Sequence, residues 1–224
     1  MKNLLSLLIA LAAGVLSITS AQAQDAKEGE RKAPMCIGCH GIPGYQASFP
    51  EIHKVPKISG QSAKYIVSAL NAYKKGERKH PTMRGISQSL TDADMADLAA
   101  YYEQHGADAV SAGAAAASAP APAVPVPSAQ VAELLKKGNC ASCHGDNLSK
   151  PIDPSYPKLA GQHADYLFVA LKAYQIDKNP KVGRANPIMM GMARPFTLAE
   201  IKLLSNYIGS MPGELKTVAQ SRFR

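Results

Sequence analysis

The pentad Cys36-Ile37-Gly38-Cys39-His40 recurs as Cys140-Ala141-Ser142-Cys143-His144, 104 residues further along a chain of 224. These two pentads hold all four cysteines. Two more blocks repeat in the same order. Pro56-Lys57-Ile58-Ser59-Gly60-Gln61 returns as Pro157-Lys158-Leu159-Ala160-Gly161-Gln162, an offset of 101. Pro81-Thr82-Met83 with Leu90-Thr91 returns as Pro187-Ile188-Met189 with Phe196-Thr197, an offset of 106. Ordered blocks at nearly constant spacing indicate a tandem duplication, and two copies make a paired-domain chain rather than a solenoid.

The copies are set apart by composition. Residues 1–23 open with Lys2, run apolar from 4 to 15 and end in Ala21-Gln22-Ala23. That is the pattern of an export signal cleaved near Ala23, and its apolar run is too short for a good membrane span. Residues 107–129 read ADAVSAGAAAASAPAPAVPVPSA. A stretch this poor in bulky side chains reads as a linker, extended where Ala and Pro alternate. The expected organisation is a signal over 1–23, domains over 24–106 and 130–224, and a linker of 107–129 long enough to let the domains fold and move nearly independently. The product is expected outside the cytoplasm, in the periplasm of a Gram-negative cell.

Within each copy the apolar spacing is helical. Tyr65, Ile66, Ala69, Leu70 and Tyr73 share one face of a helix over 62–75, and Tyr166, Leu167, Ala170, Leu171 and Tyr174 repeat the pattern. Thr91 with Asp94 reads as an N-cap leading Met95, Leu98 and Tyr102 inward, with Gly106 as the stop. Thr197 starts the matching helix with Ile201, Leu204 and Ile208. Shorter helices lead into the Cys motifs, and loops rich in Pro and Gly fill the rest. The fold class is all-α, with three main helices per copy.

Cys-x-x-Cys-His is the attachment pattern of a c-type haem. Thiols three residues apart reach the two vinyl groups on one porphyrin edge, and the next residue falls beneath the iron. A zinc site would want its Cys pairs 15 to 20 residues apart, roughly, with no His after each. A thioredoxin-like motif would want alternating strands and helices. A structural disulfide explains neither histidine. Two covalent haems also account for a thin core: the chain has no Trp and only 6% aromatic residues, and a porphyrin adds a large flat apolar surface. Cys36, Cys39, Cys140 and Cys143 are thus the covalent haem-binding residues, with His40 and His144 as iron ligands.

For the opposite side of the iron, the first copy offers His80 and Met83 and the second Met189, Met190 and Met192. Aligning the copies sets Met83 on Met189 and His80 on Asn186, which cannot replace it as a ligand. Met83 and Met189 are the preferred axial ligands; Met190 and Met192 remain alternatives whose other reading is packing against the haem edge.

The two pentads, each with a Pro-x-(Leu/Ile)-x-Gly-Gln segment and a later Met before a Leu-Thr-Asp-like helix start, resemble the dihaem cytochrome c4 group. The resemblance covers residues 27–106 and 130–212. It implies a class I cytochrome c fold in each half and electron transfer toward a terminal oxidase. It also implies that the Pro56 and Pro157 carbonyls accept a hydrogen bond from Nδ1 of the proximal His. The family's domains pack face to face through a short connection; the long linker here departs from that.

Charge adds a partner. Residues 24–106 carry 11 basic and 9 acidic groups, and residues 129–224 carry 13 and 7. The excess suits acidic redox partner proteins, an upstream reductase or dehydrogenase and a downstream oxidase, and leaves peripheral association with a membrane surface open. Nothing in the sequence is a nucleic-acid motif. His53, His105 and His163 read as surface or loop histidines, and Tyr73 and Tyr174 as core residues that could also line a haem propionate. The expected function is a periplasmic single-electron carrier and not an enzyme. The alternative is the cytochrome subunit of a periplasmic flavoprotein or alcohol dehydrogenase. With Met on each iron no site stays open for a free-standing haem enzyme, and a Cys-ligated haem would need a fifth Cys.

Overall fold

The structure, a computed structural model, describes residues 24–116 and 123–219. In the first copy the elements are α1 (Ala26–Lys32), α2 (Pro34–His40), β1 (Gln46–Ala47), β2 (His53–Lys54), α3 (Ala63–Lys75), β3 (Arg78–Lys79), α4 (Pro81–Gln88) and α5 (Asp92–Ala116). In the second they are α6 (Ala129–Lys137), α7 (Ala141–His144), α8 (Ala164–Ala173), β4 (Gly183–Arg184), α9 (Pro187–Ala193) and α10 (Leu198–Ser210). Among the described residues the strands are four dipeptides, in keeping with an all-α fold.

Local chemistry starts and stops these helices. Asp25 caps α1 by accepting from the N–H groups of Lys27 and Glu28, and Pro34 opens α2, where a missing N–H costs nothing. Thr91 and Asp94 cap α5 reciprocally, Thr91 Oγ1 accepting from Asp94 N at 3.1 Å while Asp94 Oδ2 accepts from Thr91 N at 3.0 Å. Thr197 and Glu200 form the same capping box on α10. Gly76 ends α3 in the left-handed region at φ 79°.

Gly106 does not end α5. The helix continues to Ala116, taking in the first ten residues of the expected linker. One glycine costs a helix about 1 kcal/mol, and the alanines that follow are the best helix formers. Residues 117–122 lie outside the described residues, as does the expected signal over 1–23. From 123 to 128 the chain has no regular secondary structure, and Tyr207 donates its hydroxyl to the Pro125 carbonyl.

Each copy is built around a crossing of its first and last helices. In the first, α1 lies on α5 and α3 packs against α5 and α4. The crossing is close enough that a Cβ on Gly29 would stand 2.1 Å from the Asp97 carbonyl oxygen. Met95, Leu98, Ala99, Tyr101 and Tyr102 of α5 join Ile37 and Ile66 in one buried cluster. In the second, α10 packs on α8 and α6, and Ile201, Leu204 and Phe196 bury against Leu134. Burying an Ile or Leu side chain fully is worth about 1.5–3 kcal/mol.

The two copies pack against each other. The β3 and β4 dipeptides pair antiparallel across the copies, Arg78 opposite Arg184. Lys54 meets Asp165, and Lys172 meets Glu51 at 3.1 Å. Ser62 Oγ donates to the Pro154 carbonyl, and Ser59 pairs with Lys216. The linker permitted separation; complementary polar surfaces on the two copies bring them face to face instead.

Candidate functional site

Each site begins at a pentad on a short helix. Cys36, Cys39 and His40 sit at i, i+3 and i+4 of one helical run, the spacing that puts side chains on one face. Cys143 and His144 lie in α7, and Cys140 immediately precedes its first residue. All four thiols are free and half-buried, and burial pushes Cys36 up to about 11.

The imidazoles are held the same way in both copies. His40 Nδ1 lies 2.8 Å from the Pro56 carbonyl oxygen, and His144 Nδ1 lies 2.9 Å from that of Pro157. A carbonyl oxygen only accepts, so Nδ1 carries the proton and donates. The Nε2 lone pair of each ring is therefore left for another partner. Burial lowers the pKa of both rings, which keeps them neutral.

The methionines stand on short capped helices. His80 accepts from Met83 N at the start of α4, and Asn186 accepts from Met189 N at 3.0 Å at the start of α9. His80 and Asn186 are thus equivalent as helix caps. Capping commits His80 Nδ1 as an acceptor, so its proton is on Nε2 and no lone pair is left for a metal. Met83, Met189 and Met190 are half-buried, whereas Met192 is 43% exposed. Beyond each methionine helix, matched residues tie the chain back to the tyrosine helix. Lys74 donates to the Leu90 carbonyl, and Gln175 donates to the carbonyls of Ala193 and Phe196.

Between the copies lies a cleft of about 240 Å³, lined among others by His53, Tyr73, Arg78, His80, Tyr166 and Arg184. Arg78 donates to the Tyr65 hydroxyl at 3.0 Å, and Arg184 to that of Tyr166 at 3.0 Å. The Arg78 guanidinium also lies over the rings of Tyr65 and Tyr73, and that of Arg184 over Tyr166 and Tyr174. Among the described residues neither arginine has a carboxylate partner in an ion pair. Two partly buried cations facing each other call for anionic groups.

These features fit two covalent haems: paired thiols beside a neutral imidazole with a free Nε2, a soft sulfur on a separate helix, and cations suited to acidic substituents. Tyr73 lines the cleft, whereas Tyr174 is buried at 8% exposure, as a core residue would be. His53 is corrected. It is 5% exposed, with Nδ1 2.8 Å from the Glu51 carbonyl and its ring against Tyr166. The face of the second copy buries it, a fact that no local pattern records. His105 is half-buried and stacks on Tyr101, and His163 is half-buried at the start of α8.

The family model for cytochrome c matches residues 26–106 and 128–212. Cytochrome c4 of Azotobacter vinelandii is 30% identical, the alignment covering 92% of this chain and 97% of the relative. The chain belongs to the cytochrome c family, in its dihaem c4 branch. A solved reduced cytochrome c4 from Pseudomonas stutzeri superposes with a TM-score of 0.56 at 26% identity, covering 85% of this chain and all of the other. A thiosulfate dehydrogenase electron acceptor of Stutzerimonas stutzeri is 28% identical over 94% of this chain and 97% of its own length. This cytochrome c therefore carries two haems of c type and serves electron transfer rather than catalysis of its own.

Sequence reasoning missed the paired arginines and the use of the Pro-Lys-x-x-Gly-Gln blocks between domains. Their signal was present: Arg78 and Arg184, Lys57 and Lys158, and Gln61 and Gln162 all recur at the offsets of the repeat.

Proposed function

We propose that the chain is an exported, periplasmic carrier of single electrons between respiratory partners, ending at a terminal oxidase. Each of the units 24–106 and 130–224 holds one haem. Cys36 and Cys39, and Cys140 and Cys143, form its thioethers; His40 with Met83, and His144 with Met189, are its axial ligands. When bound, each haem supplies a one-electron Fe(III)/Fe(II) couple. The observation that carries this reading is the matched pair of Nδ1-to-proline hydrogen bonds, which present two neutral imidazoles in the form that binds iron.

The chain's part is to hold still. Both ligands of each site sit on hydrogen-bonded helices, so they need not move when charge changes. Thioether sulfur favours the reduced metal and raises the potential. With a histidine and a methionine both holding each iron, no open position would be left for a substrate. Arg78 and Arg184, at the cleft between the copies, would balance acidic substituents of the cofactors. Ile188, 58% exposed, and Met192 lie on the helix of Met189, with exposed Lys181 and Arg194 flanking it in sequence. An apolar spot flanked by cations suits docking of an acidic partner. No helix among the described residues is long and apolar enough to cross a membrane.

The relative named as a thiosulfate dehydrogenase electron acceptor favours a second reading, in which this chain takes its electrons from a periplasmic dehydrogenase. Intact mass should show two haems per mature chain. Oxidase-containing membranes should oxidise the reduced protein rapidly, in a salt-dependent manner. A chain inert toward the oxidase but reduced by a dehydrogenase and its substrate would favour the second reading.

A further inference from the structure

The Pro56–Lys57 peptide group is hydrogen-bonded on both sides, and its two partners belong to different domains. Its carbonyl accepts from His40 Nδ1 at 2.8 Å, and its N–H, on Lys57, donates to Oε1 of Gln162 at 2.9 Å. The other copy mirrors this. The Pro157 carbonyl accepts from His144 Nδ1 at 2.9 Å, and Lys158 N donates to Oε1 of Gln61 at 3.0 Å. We propose that Gln162 and Gln61 are cross-domain positioning residues, each tuning through one peptide group the histidine on the other domain's haem iron. The inference rests on the reading of His40 and His144 as iron ligands.

The glutamines are built for this. They are 5% and 4% exposed. Each amide is fixed at both ends, because Gln162 Nε2 donates to the Lys57 carbonyl at 2.9 Å and Gln61 Nε2 to that of Lys158 at 3.1 Å. Reversing either amide would set donor against donor. The lysines reinforce the contact, Lys57 Nζ donating to the Gly161 carbonyl and Lys158 Nζ to that of Gly60.

A peptide's carbonyl and N–H share one resonance system. An acceptor on the N–H favours the charge-separated form and makes the carbonyl oxygen more negative. Each bond in such a chain strengthens the next by roughly 10–30%. A stronger pull on the Nδ1 proton makes the imidazole a better donor to iron, stabilises Fe(III) and lowers the potential. Docking the domains should therefore lower both potentials through these two peptide groups.

The test uses the full haem-loaded chain. Gln162→Leu should raise the potential of the haem on Cys36 and Cys39 and move the Nδ1–H resonance of His40 in the reduced protein upfield. The second haem and His144 should stay at wild-type values. Gln61→Leu should give the mirror result. A shift confined to the substituted residue's own domain, an equal shift of both haems or no shift would each overturn the proposal. Gln162→Glu keeps an oxygen on the Lys57 N–H and adds charge, so the first haem should move down and by more than the second; any upward shift overturns the coupling. Hyperfine shifts of His40 and His144 in the oxidised wild type report iron ligation separately. Their absence would mean that the ligand reading had failed, rather than the coupling.

Discussion

Met83 and His80 show how two residues of one turn divide their work. His80 spends its Nδ1 lone pair on the start of α4, and the Met83 sulfur is the ligand proposed for the iron. Met83→Ala should remove about half of the weak near-infrared band that Met-to-iron ligation gives the oxidised protein, whereas His80→Ala should keep it. The opposite pattern would exchange their roles. Gly29 is a residue-scale constraint of another kind. A methyl group there meets the backbone of Asp97, which cannot rotate away. Gly29→Ala should destabilise the first domain by about 1–3 kcal/mol, the usual cost of overpacking, and denaturant melts of single-domain signals would show it. A neutral result would mean that α1 can lift off α5 freely.

At the scale of elements, the α1–α5 crossing is also tied by charge. Lys32 Nζ lies 2.7 Å from a carboxylate oxygen of both Asp94 and Asp97, and these bonds lower the pKa of both carboxyls, that of Asp94 well below the usual carboxylate range. A carboxyl whose pKa is lower folded than unfolded stabilises the fold above its unfolded pKa, near 4, roughly, and loses that contribution as pH falls toward the folded value. Wild-type thermal stability should therefore decline below pH 4, approximately. Lys32→Ala should flatten that decline while lowering stability at pH 7; an unchanged acid limb would show that the pair contributes nothing. The same element corrected the linker. Alanines that read as filler continue α5, because helix propensity acts residue by residue once a helix has started.

Across the whole molecule, polar complementarity holds the domains where a long connection would have let them part. A protease site inserted within residues 117–122 and then cut should leave the two halves co-eluting on a sizing column, held by the Lys57, Gln61, Lys158 and Gln162 bonds and the β3–β4 pair. Lys57→Ala with Lys158→Ala should make the cut halves separate more readily. Halves that elute apart in the unsubstituted protein would return the molecule to two independent cytochromes.

The residues alone determined the duplication, the helical class, the haem chemistry and the pairing of Met83 with Met189, because each rests on a spacing or on a repeat of side-chain types. The Pro56 and Pro157 carbonyls were also legible, though only through the resemblance to the c4 group. What tertiary structure decided is everything that depends on one copy facing the other. His53 looks like a loop histidine until Tyr166 covers it, and Lys57 and Gln61 look like loop polar residues until Lys158 and Gln162 meet them. Helix periodicity and ligand spacing act within a few residues along the chain. The bonds between domains join residues about a hundred positions apart, and their free energy exists only when both surfaces are folded and aligned.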